Sequence, residues 1–200
     1  MRYSLAMKYP SHQGRYMTKL AITLTALLLA GCSATTSLTQ KSSAEVRQGV
    51  TTIHSTIGNP GIAYSGPPMQ ATTDGSDLNL VYYELRAFEP ETGGSIRYRL
   101  VIDITYRASW RNYVSAAFSG RTKVNVTQLE KSVLNCTSVT TCMLEETLEV
   151  PLEEEQIVSA LKRRESLRVK LRAKSGHRSV VEIPTSYLMG FYAAIVNRQG

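Results

Sequence analysis

Few side chains in this 200-residue chain are equipped for chemistry. The bases that work at neutral pH are three histidines, His12, His54 and His177. Ser175-Gly176-His177 sets a hydroxyl two residues from an imidazole, and Glu153, Glu154 and Glu155 form a run of acids. The aspartates are Asp74, Asp77 and Asp103. A hydrolase needs a nucleophile, a base and an orienting acid, and no Gly-x-Ser-x-Gly elbow supplies the first. Ser175-Gly176-His177 falls in an expected hairpin turn. The glutamates fall in the first turn of an expected helix, where carboxylates complement the helix dipole. The expectation is a protein that is not an enzyme and has no catalytic residue. A hydrolase using His54 or His177 is the alternative.

Cys32 sits in different company from the other two cysteines. Lys19 precedes an uncharged run, Leu20 to Ala30. It is well short of the ~20 apolar residues that span a bilayer and suits the core of a secretory signal. Its end, Leu29-Ala30-Gly31-Cys32, resembles the lipobox of bacterial lipoproteins. The resemblance implies a signal over 1–31, cleavage before Cys32 and diacylation of its thiol, often with acylation of the new amino group. Two or more acyl chains make such anchoring stable. Ser33 stands where aspartate would favour the inner membrane, which resembles an outer-membrane sorting pattern. The implied location is lipid-anchored on the outer membrane, facing the periplasm. An ordinary secretory signal with an incidental Cys32 is the alternative. Met17-Thr18-Lys19 begins a complete signal by itself, so 1–16 reads as an overlong start.

In an exported protein, Cys136 and Cys142 read first as a disulfide. Closing so short a loop is worth about 2.4 kcal/mol in the chain-entropy account. A redox pair usually has two residues between its cysteines, and here Thr137 to Thr141 intervene. A metal site would need more ligands than the two histidines left after processing. No metal and no cofactor are expected.

The net charge of +7 suggests nucleic acid, but Arg2, Lys8, Arg15 and Lys19 leave with the signal. The remaining 19 basic and 16 acidic residues give +3, ordinary for a soluble domain. The expected partners are the membrane, through the N-terminal lipid, and an envelope protein, with no nucleic acid. The sharpest surface feature is Arg168, Lys170, Arg172 and Lys174, alternating with apolar residues. Four cations on one strand face suit an anionic envelope ligand, joined by Arg178 or by Arg97 and Arg99. The competing reading is a solvated face paired with nearby carboxylates.

These residues need elements to hold them. Residues 32–45 read as a Ser/Thr-rich tether and 46–200 as one domain. Val46 to Ile57 reads as a first strand or irregular lead-in. Gly58 to Asp77, with NPG, SGPP and TTDGSD, reads as a long surface loop and the first place to look for a binding surface. Period-two alternation then predicts a hairpin. Its first strand, Leu78 to Phe88, buries Val81, Tyr83, Leu85 and Ala87; its second, Ser95 to Tyr106, buries Ile96, Tyr98, Leu100, Ile102 and Ile104. Trp110 to Ser119, Thr122 to Leu129, Cys142 to Val150, Leu167 to Ala173 and Val180 to Ile183 complete the strands. Helices are expected from Pro151 to about Arg164 and from Pro184 to Asn197. The tyrosines and Trp110 are candidates for core packing or for a ligand cleft. The fold class expected is mainly β (α+β): an antiparallel β-sandwich or open barrel of about seven strands, with two short helices near the C-terminus. Such a domain resembles small β-rich bacterial lipoproteins, and no functional motif ties it to one family.

Overall fold

The structure, a computed structural model, describes residues 41–56, 59–71, 78–107, 109–118, 123–138 and 141–197. The signal, Cys32, residues 33–40 of the tether, Asp74, Asp77 and the expected turn at 119–121 lie outside them. Among the described residues the protein is mainly β, with two antiparallel sheets and three helices, in agreement with the expected class.

The larger sheet is curled. Its strand order is β1 (Thr51–Ser55), β2 (Gly61–Ser65), β4 (Leu78–Pro90), β5 (Arg97–Arg107), β9 (Thr141–Leu152) and β8 (Thr127–Ser138), with β3 (Met69–Gln70) paired to β4. The smaller sheet runs β11 (Arg178–Ile183), β10 (Leu167–Ala173), β6 (Tyr113–Phe118) and β7 (Lys123–Asn125). Most of the side chains expected to be buried are so, but Ile96 is only partly buried, and Val101 and Thr105 on the other face of β5 are buried too. Val81, Tyr83, Leu85 and Ala87 on β4 meet Tyr98, Leu100, Ile102 and Ile104 on β5, all buried. On β10, Leu167, Val169, Leu171 and Ala173 are buried and the residues between them exposed.

Three helices complete the core: α1 (Ser43–Gln48), α2 (Glu154–Arg163) and α3 (Thr185–Val196). Leu188, Phe191 and Ile195 of α3 are fully buried. Its Tyr187 meets the Tyr83 ring edge-on at 5.2 Å and donates to the Pro67 carbonyl at 2.9 Å. Burial pushes the Tyr187 hydroxyl well above the usual phenol pKa. Gly190 lets α1 and α3 touch, since a Cβ there would lie 2.7 Å from the Val46 Cβ.

Three expectations need correction. The lead-in at Val46 to Ile57 is a helix followed by a strand, and that helix begins inside the expected tether. Ser42 and Glu45 form a capping box: the Glu45 amide donates to Ser42 Oγ at 3.3 Å, and the Ser42 amide to Glu45 Oε2 at 2.8 Å. The described part of the Gly58 to Asp77 loop holds β2 and β3, with Tyr64, Met69 and Ala71 buried. Its Gly and Pro residues let the backbone pass beneath Tyr187 rather than mark a loop. Finally, the strand expected over Thr122 to Leu129 is two strands in different sheets, with the switch at Val126. Neither glycine nor proline punctuates that switch, so periodicity ran through it.

Candidate functional site

The outer face of the smaller sheet gathers cations from three strands. Residues directly opposite in an antiparallel pair project from the same side. On β10, Arg168 faces Glu182, Lys170 faces Val180 and Arg172 faces Arg178 of β11. On the other flank, Lys170 faces Ala117 and Arg172 faces Ser115 of β6. Ala117 in turn faces Lys123 of β7. All four cations read from the sequence, Arg168, Lys170, Arg172 and Lys174, are exposed, with Lys174 one residue beyond the strand end. Arg178, expected as a further member, lies with them, and the structure adds Lys123; both are exposed. The carboxylate set against them is Glu182, 3.8 Å from Arg168. Among the described residues no ion pair reaches Lys123, Lys170, Arg172, Lys174 or Arg178. Small side chains, Ser115, Ala117 and Val180, floor the space between them.

Arg97 and Arg99 do not join this patch. They lie on the larger sheet, where Arg99 pairs with Glu149 and the Arg97 guanidinium sits 5.0 Å from the Phe88 ring centroid. With Arg86 they line a depression of about 310 Å³, and Arg86 is paired with Glu84.

The second surface is β8. It ends the strand order of the larger sheet and, from Thr127 to Cys136, buries no side chain. Leu129, Val133 and Leu134 are 46%, 57% and 49% exposed. The register with β9 shifts at three places, where Leu129, Leu134 and Thr137 are the extra residues, so each is a bulge on the edge strand. Cys136 and Cys142 are disulfide-bonded and directly opposite in the β8–β9 register. The disulfide ties to β9 a strand that the core does not hold.

The histidines are dispersed. His177 Nδ1 lies 2.9 Å from Ser175 Oγ in the exposed β10–β11 turn. His54 lines an open depression of about 300 Å³ with Ser55, Glu89 and Glu91, and makes no hydrogen bond among the described residues. Neither place shows nucleophile, base and acid in contact. Glu153, Glu154 and Glu155 are exposed at the start of α2. The Glu153 amide donates to Gln156 Oε1 at 2.9 Å, and Glu154 accepts from Tyr192 at 2.8 Å. Among the described residues no cluster of three or more His, Cys, Asp or Glu is placed to hold a metal, and no helix is long and apolar enough to cross a membrane. Tyr83, Tyr106, Tyr113 and Tyr187 are core side chains, whereas Tyr98, also buried, borders an open depression of about 510 Å³ beside Arg97, Arg99, Asn125 and Glu149.

Sequence reasoning missed Glu146, a fully buried acid on β9. Its carboxylate accepts the backbone N–H of Arg111 at 3.2 Å, of Asn112 at 2.9 Å and of Tyr113 at 3.3 Å, together with the Tyr106 hydroxyl. It therefore holds the β5–β6 connection, where Asn112 takes the left-handed conformation. Burial, then the contact with Glu146, pushes the Tyr106 hydroxyl well above its usual pKa, against the opposing effect of the Arg111 amide. The buried Arg111 guanidinium stacks 4.3 Å from the Tyr106 ring centroid. In the sequence, Glu146 is one member of Leu144-Glu145-Glu146-Thr147, and the signal was its place on the same side as Leu144 and Leu148. No protein-family model matches this chain, and neither a curated protein nor a solved structure does.

Proposed function

We propose that this chain is a lipid-anchored, non-enzymatic protein-binding module of the bacterial envelope, tethered through Cys32 to the outer membrane and facing the periplasm. The observation that carries the binding reading is β8, a twelve-residue edge strand that leaves Leu129, Val133 and Leu134 in solvent and is tied to its neighbour by a disulfide. An exposed edge offers unpaired N–H and C=O groups that an extended partner segment can satisfy, while apolar side chains provide specificity. The three bulges oppose open-ended stacking of further strands, and the stretch from Glu130 to Val133, between the first two, keeps regular pairing. Holding the strand in place beforehand lowers the ordering cost of binding. The anchor is supported by Leu20 to Ser33, the lipobox-like stretch.

The test is made in cells of a Gram-negative host. A photo-crosslinking residue replaces Val133 in the full chain, and intact mass reports the state of Cys32. One envelope protein crosslinked from position 133, and lost when Leu129 and Leu134 are changed to lysine, is the expected result, with a triacyl mass that disappears in Cys32→Ala. No crosslink from position 133, or one indifferent to the lysine changes, overturns the binding surface. An unmodified Cys32 overturns the anchor.

A further inference from the structure

We infer that the outer face of the smaller sheet is a docking surface for an anionic lipid bilayer, its cations reading headgroup phosphates. This goes beyond the protein-binding reading and uses a different strand, a different sheet and different chemistry.

The pair Arg172 and Arg178 sets this face apart. They are directly opposite across β10 and β11, and like charges in that position destabilise a sheet. The larger sheet contains the same motif, Arg86 opposite Arg99, and neutralises it with Glu84 and Glu149. The smaller sheet supplies no carboxylate to Arg172 or Arg178 among the described residues. Each guanidinium carries the forked N–H donors that hold a phosphate bidentately, and the register sets two such residues side by side.

The rest of the face extends this pair into a field. Cations alternate along β10 at about 7 Å, Arg178 lies one strand away at about 5 Å, and Lys123 lies two strands away at about 10 Å. Lys123, Arg168, Lys170, Arg172, Lys174 and Arg178 stand against Glu182. The floor between them is Ser115, Ala117 and Val180, small or short side chains on a sheet face. An enclosed phosphate site would need convergent walls. An open sheet face with distributed charge suits a surface that is itself extended and negative, and each Lys or Arg near such a surface contributes about 1 kcal/mol.

Full-length protein carrying Cys32→Ala, so that no acyl chain contributes, is sedimented with phosphatidylcholine vesicles with and without phosphatidylglycerol. Any apolar contribution from the signal is common to both vesicle types. The expected result is stronger partitioning onto the phosphatidylglycerol vesicles, reduced about 100-fold when Lys170, Arg172 and Arg178 are changed to glutamine. It also weakens as added salt shortens the screening length. Lys162, Arg163 and Arg164 changed to glutamine remove the same net charge from α2 and leave partitioning nearly intact. Unchanged melting temperatures show that the variants fold, and Arg178→Glu alone, which creates an ion pair, gives a second reading of the same face. Equal partitioning onto both vesicle types, or equal losses from the two triple variants, overturns the proposal. So does binding of inorganic phosphate or of an acidic protein to this face without binding to vesicles. None of these results depends on the β8 crosslink, so the two readings stand or fall separately.

Discussion

The two sheets treat the same problem in opposite ways. Each sets one arginine directly opposite another, Arg86 against Arg99 and Arg172 against Arg178. In the larger sheet, Glu84 and Glu149 lie beside the guanidiniums and close the charge within the fold. The treatment continues inward, where Glu146 is satisfied by three backbone donors and a phenol. In the smaller sheet the charges stay open, with Glu182 reaching Arg168 and no carboxylate among the described residues reaching the Arg172–Arg178 pair. A charge that the fold neutralises is explained by the fold. A charge left open at a small stability cost is the better candidate for contact with something outside.

The strongest way to test this contrast is to open the closed side. Glu146→Ala leaves the Tyr106 hydroxyl and the amides of Arg111, Asn112 and Tyr113 without their acceptor. It should cost about 3 kcal/mol or more, a fall of about 6–12 °C in melting temperature. If thermal unfolding moves by only a degree, the claim that Glu146 holds the β5–β6 connection fails. Removing Glu84 and Glu149 together, as Glu84→Gln and Glu149→Gln, should make the larger sheet imitate the smaller one. The expected loss is about 1 kcal/mol in urea unfolding, accompanied by a new, salt-sensitive affinity for phosphatidylglycerol vesicles on that face. Loss of stability without new affinity would show that an opened arginine pair is insufficient.

The converse change closes the open side. Arg178→Glu turns a repulsive cross-strand pair into an attractive one and should stabilise the domain by about 0.5 kcal/mol while weakening vesicle binding. A destabilised variant would mean that Arg172 and Arg178 are already compensated in solution. The smallest effect concerns Glu145, whose carboxyl is raised above the ordinary 4.5 by burial first and then by Asp103 and Glu130. A raised folded value favours the native state below 4.5 and withdraws that contribution as pH rises through it. Glu145→Gln should therefore raise the melting temperature at neutral pH by about 1–2 °C. Well below pH 4.5 it should change nothing.

Much of this architecture was legible from local pattern. The period-two alternation of Leu167 to Ala173 placed buried and exposed faces as they are found, because a half-buried strand covers every second side chain, whereas β5 buries Val101 and Thr105 of its other face as well as Tyr98, Leu100, Ile102 and Ile104. The cysteine pair and the four cations of β10 were likewise read from spacing. The failures have different causes. The helix at Ser43 carried a local signal, the Ser42–Glu45 capping box, that Ser/Thr-rich composition outweighed; the strands at Gly61 and Met69 are decided by contacts distant in sequence; and the break at Val126 has no local mark. Tyr187 over Pro67 joins residues 120 positions apart, and Gly190 against Val46 does the same for α1 and α3.

The sequence by itself determined the anchor-like N-terminal stretch, the strand faces and the row of cations, since each depends on residue types within one short segment. Tertiary structure alone decided which charges find partners. Arg99 reaches Glu149 and Tyr106 reaches Glu146 across strands 50 and 40 residues apart, while Arg172 meets another arginine. Charge is written in the chain residue by residue, but compensation depends on strand register, and register is set only when the sheets assemble around their common core.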